Sequence, residues 1–61
     1  NEPLYEKGNI VDFTDIDSSK TLTGKILSIH AGPNDEPKYD VEVESGVIFI
    51  VPQSQITAWT N

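Results

Sequence analysis

Apolar and polar residues alternate one by one over Tyr39, Asp40, Val41, Glu42, Val43 and Glu44. That is the period of a strand with one dry face and one wet face. Glu44-Ser45-Gly46 supplies a turn in which Gly46 is free to take positive φ. The chain then changes rhythm. Residues 47–51 (VIFIV) are an unbroken apolar run rich in β-branched residues. The run is too short for a helix and is bounded by Gly46 and Pro52, so it predicts a second strand with both faces at least partly covered. Pro52 has no N–H to donate and ends the ladder. Gln53-Ser54-Gln55 fits a single 3-10 turn that tucks Ile56 inward, and residues 57–59 form a last short strand.

Earlier in the chain the same pattern is fainter. Residues 8–13 (GNIVDF) predict a first strand with Val11 and Phe13 on one face. Residues 14–23 (TDIDSSKTLT) are polar and turn-rich and predict a long loop. Residues 24–31 (GKILSIHA) predict a strand with Leu27, Ile29 and Ala31 on one face. Residues 32–38, with two prolines and a Gly-Pro step, predict a loop. Residues 1–7 lack periodicity and predict a flexible arm, with Leu4 and Tyr5 laid on the domain that spans residues 8–61. There is no internal repeat and no helical stripe. Five short strands at this spacing predict an all-β fold, a small five-stranded antiparallel barrel with a 3-10 turn before the last strand.

Composition narrows the partners. The chain has 61 residues, ten acidic side chains against four lysines, no arginine and a net charge of −6. Nucleic-acid affinity draws on Lys and Arg displacing counterions, so direct binding to a phosphate backbone is disfavoured, as is binding to anionic lipid. A partner chosen by electrostatics is basic. No run approaches the roughly 20 apolar residues of a membrane span, no basic-then-apolar leader is present, and a cytoplasmic protein is expected. With no cysteine, neither a disulfide nor a thiolate metal site stiffens the domain.

The order of strand, long loop, strand, loop, hairpin, 3-10 turn and short strand resembles the SH3-like barrels, in particular the Tudor and KOW versions. The likeness is carried by Gly8-Asn9-Ile10-Val11, Gly24-Lys25-Ile26-Leu27, Tyr39-Asp40-Val41-Glu42-Val43 and Val51-Pro52 with Ile56. It is a likeness of spacing, and it implies fold rather than activity. Tyr39-Asp40-Val41-Glu42 and Ile48-Phe49-Ile50-Val51-Pro52 are also similar to the type II, plasmid-encoded dihydrofolate reductases, SH3-like tetramers of comparable length. That family carries a Gln-Ile-Tyr triplet before the proline and a lysine on the first strand. Phe49-Ile50-Val51 and Phe13 stand in those places here. The resemblance therefore implies a shared fold without the polar groups of the reaction.

Few side chains are arranged for chemistry. Asp12, Asp15 and Asp17 lack the glycine and terminal glutamate of a calcium loop and read as a solvated acidic loop. His30 is the sole histidine and cannot anchor zinc by itself. Ser28 lies two residues before it, too generic a signal for a nucleophile. No cofactor, metal or catalytic residue is expected. Asp40, Glu42 and Glu44 form an acidic stripe, which either discourages strand stacking or docks a basic partner, with Lys25 offsetting part of the charge. Tudor-like barrels hold methylated cations in aromatic cages. The five aromatics here are more readily a core, with Tyr39 and Trp59 the two that a partner could touch.

Three functions follow as expectations. The first is a small non-enzymatic protein-binding or assembly module of bacterial or viral origin, with Asp40, Glu42, Glu44, Tyr39 and Trp59 meeting the partner. In this reading a homo-oligomer interface forms through Val47, Phe49 and Val51. The second is an acidic inhibitor or nucleic-acid mimic that covers a basic protein surface. The third is an oligomeric relative of the type II reductases.

Overall fold

A computed structural model describes residues 3–61. Asn1 and Glu2, the first two positions of the expected arm, lie outside the described residues. Five strands appear in order, β1 (Ile10–Thr14), β2 (Thr21–His30), β3 (Lys38–Val43), β4 (Ile48–Pro52) and β5 (Ile56–Thr60). A 3-10 turn, Gln53–Gln55, separates the last two. All neighbouring strands are antiparallel, and the sheet runs β4-β3-β2-β1-β5. The all-β class and the 3-10 turn before the last strand are therefore as the sequence predicts.

The sheet is rolled. On a flat sheet, strands three places apart stand about 14 Å from one another. Yet the rings of Phe13 on β1 and Phe49 on β4 are 5.5 Å apart between centroids. One core joins Val11, Phe13, Ile26, Tyr39, Val41, Val51 and Ile56, so every strand contributes to it. The hairpin turn forms as expected. Gly46 takes φ 91°, and its N–H donates to the Val43 carbonyl at 2.9 Å. Pro37 is buried and its carbonyl accepts the Gln53 N–H at 2.9 Å, which docks the 3-10 turn onto the β2–β3 connection.

Three elements differ from expectation. β2 begins at Thr21, so the first loop shrinks to residues 15–20. Thr21 to Thr23 are polar, but they pair with Thr14, Phe13 and Asp12 on β1, and half-buried Leu22 sits opposite Phe13. β5 starts one residue early because Ile56 both pairs with Phe13 and enters the core. The largest change lies inside β2. Its register shifts between Ile26 and Ser28, which leaves Leu27 as an extra residue. Such a bulge swaps the faces of a strand. Ile26 is the buried residue before it and Ile29 the half-buried one after it, whereas Ala31 lies exposed beyond the strand end.

Gly24 has a specific reason. A Cβ there would sit 2.6 Å from both the Glu42 carbonyl oxygen and Val41 Cγ1. Only the missing side chain lets β2 and β3 come this close.

Candidate functional site: a cleft beside β4

The unbroken apolar run resolves into two faces. Val51 is buried and Phe49 half-buried against the core, while Ile48 and Ile50 point outward and Ile50 is 70% exposed. The expected interface through Val47, Phe49 and Val51 therefore needs correcting. Phe49 and Val51 are occupied by the core, and the apolar residues left outside are Val47, Ile48 and Ile50. The outer face of the strand is uncovered.

A cleft of about 240 Å³ opens beside this strand. One wall is Phe49, Ile50, Val51 and Pro52, with Gln55 from the 3-10 turn. The other is the end of β1 and the loop after it, Phe13 through Asp17. The loop is held shut from within. The Asp15 N–H donates to the Lys20 carbonyl at 2.8 Å, and the Ser19 N–H donates to the Asp15 carbonyl at 2.7 Å. The Asp15 carboxylate accepts the Asp17 N–H at 3.2 Å and the Ser18 hydroxyl at 2.9 Å. These local bonds explain why a polar hexapeptide keeps a defined shape. They also push Ile16 outward, where it is 69% exposed. The cleft thus has an apolar floor, one exposed isoleucine on each wall, and two acidic residues on the loop wall.

The acidic stripe is less uniform than its sequence implies. Asp40 stands opposite Ser28 across the β2–β3 ladder. It accepts the Ser28 hydroxyl at 2.5 Å and lies 2.9 Å from His30 Nε2, both through Oδ2. The Ser28 hydrogen bond first, and then His30, hold its carboxyl below the usual aspartate range. Ser28, His30 and Asp40 do not make a catalytic relay. Serine and histidine both engage the carboxylate rather than each other, and a carboxyl of lowered pKa is a weak base. Glu42 faces Lys25 in register, and Glu44 sits in the turn. Among the described residues, no three His, Cys, Asp or Glu side chains converge as a metal's ligands would.

Tyr39 and Trp59 belong to another part of the molecule. Tyr39 is fully buried and closes one end of the core, out of a partner's reach. Its hydroxyl donates to Gln53 Oε1 at 2.6 Å and accepts the Leu4 N–H at 3.2 Å. Burial drives its pKa up, against the lowering effect of the backbone hydrogen bonds it receives. The Leu4 N–H also reaches Gln53 Oε1 at 3.0 Å. Tyr5 stacks edge-on between Tyr39, at 5.6 Å, and half-exposed Trp59, at 6.1 Å. Tyr5 fills the space between them.

Pattern reading missed the cleft. Its one sequence signal is Ile16, a lone large apolar residue between two aspartates in an otherwise polar loop. The rolled, all-antiparallel sheet with a 3-10 turn before its last strand places the chain among small β-barrel-like domains, with a cleft along one side. No family model matches the chain, and no curated protein or solved structure matches it either. No described helix is long and apolar enough to cross a membrane.

Proposed function

We propose that the chain is an SH3-like barrel that works as a small protein-binding module, taking a basic and apolar segment of its partner into the cleft beside β4. The strand order, the loop after β1 and the 3-10 turn between β4 and β5 support the SH3-like assignment. One observation carries the binding role. Ile16 and Ile50, 69% and 70% exposed, sit on opposite walls of one cleft whose loop wall bears Asp15 and Asp17. Singly exposed isoleucines are ordinary, but two of them flanking one cleft with an apolar floor make a patch suited to a partner. The carboxylates select a cationic one, in keeping with the net charge of −6.

The cleft is favoured over the stripe of Asp40, Glu42 and Glu44. Ser28 and His30 already engage Asp40, and Lys25 faces Glu42. This also weakens the case for an acidic mimic, which needs uncompensated charge. A titration followed by amide NMR, with short peptides that alternate lysine and valine, tests the role. Shifts at Ile16, Asp17 and Ile50, fading as salt rises, are the expected result. Shifts centred on Glu42 and Glu44 would move the site to the stripe.

A further inference from the structure

The cleft wall on the β4 side is a run of consecutive strand residues, Phe49 through Pro52, and no residue of β2 or β3 lines the cleft. β4 pairs with β3 along one side and ends the sheet on the other. The cleft therefore runs along the edge of β4 that pairs with no other strand among the described residues. Natural sheets guard such edges with lysine, proline, bulges or inward charge. From Val47 to Val51 this edge carries no charge, and Pro52 comes only at its end. Its pairing with β3 is regular from Lys38↔Pro52 to Glu42↔Ile48, so no bulge bends it away.

We infer that the partner enters as a sixth strand, an extended segment of alternating basic and β-branched residues that pairs its backbone with β4. This rests on the cleft being the partner site. It adds the mode of recognition, in which main-chain hydrogen bonds supply affinity and alternate side chains supply specificity. Four strand residues give an edge of about 13 Å, room for a segment of similar length. The pleat then turns every second side chain toward the outer face that Ile48 and Ile50 share. Charge selects a foreign segment over a second copy. Pairing two copies brings together two chains of −6 each, whereas lysines on an incoming strand relieve the field of Asp15 and Asp17.

The test uses a capped Lys-Val-Lys-Val-Lys peptide and two backbone N-methylated forms, one methylated at the valines and one at the lysines. In an added strand, alternate residues turn their N–H groups toward the host, so one methylated form loses the pairing and the other keeps it. The parent peptide is expected to bind and to shift the Phe49 and Ile50 amides, with one methylated form at least tenfold weaker. Equal affinity for all three peptides would overturn strand addition and leave the cleft as a side-chain docking site. No binding by any of them at millimolar concentration would remove both. Light scattering covers the remaining occupant. A mass that doubles with protein concentration, and that the parent peptide fails to reverse, would assign the edge to a second copy and overturn the proposal.

Discussion

Tyr39 and Phe49 lie on neighbouring strands of one hairpin and share the inner face of the sheet, yet their surroundings are opposite. Around Tyr39 the core is sealed. Its hydroxyl meets Gln53, the Leu4 N–H reaches both, and Tyr5 packs against the ring. Around Phe49 the core is left open to a cleft with exposed isoleucines on either wall. A small domain has little stability to spare, so the sealed end matters most to the fold, while the open edge is where the proposed partner would bind. Substitutions at the two ends should accordingly separate stability from binding.

The most damaging change is expected inside the β2–β3 ladder, at a residue that does not line the cleft. Gly24→Ala drives a methyl into the Glu42 carbonyl and Val41. It should cost about 3 kcal/mol, at the upper end of the overpacking range, enough to leave much of the domain unfolded. A urea midpoint close to that of the parent chain would mean that the strands can part at little cost. Next comes Tyr39→Phe, which removes the hydroxyl but not the ring. Gln53 Oε1 and the Leu4 N–H keep each other, so the loss should be about 1–2 kcal/mol, read as a lower urea midpoint with unchanged slope. Peptide binding at the cleft should be unaffected. Weaker binding in this variant would show that the two ends are coupled.

A smaller effect belongs to Asp40. Its carboxyl is depressed in the folded chain, so the bonds from Ser28 and His30 stabilise the fold above the ordinary aspartate pKa of about 3.9. That contribution is lost as the pH falls through the lower folded value. Asp40→Asn should lower stability slightly at neutral pH, where these bonds are intact, and the difference from the parent chain should close as the pH falls below about 4. Parallel acid limbs for the two proteins would show that the clamp contributes nothing. The smallest stability change is expected at Ile50→Ser, within about 0.5 kcal/mol because the side chain is mostly in water. This variant should nevertheless lose peptide binding. A large drop in stability would mean that Ile50 supports the fold and that the edge is not spare.

Strand count, the Glu44-Ser45-Gly46 turn, the Pro52 stop and the 3-10 turn are legible along the chain. Each rests on local chemistry: side-chain period, a glycine able to take positive φ, a missing N–H. The sequence also marked Val11, Phe13 and Val41 as strand residues with an inward choice. Local pattern could not decide which side of the apolar run 47–51 faces the core, because every residue in it is apolar. Pairing with β3 decided that, turning Phe49 and Val51 inward and leaving Ile48 and Ile50 outside. The bulge at Leu27 was equally hidden, since a face swap in β2 is set by its partner's register. The cleft is the furthest from sequence. Ile16 and Ile50 are 34 positions apart in the chain, and only the rolling of the sheet brings their walls together. A pattern of spacing describes neighbours along one strand, whereas a rolled sheet chooses neighbours across the whole chain.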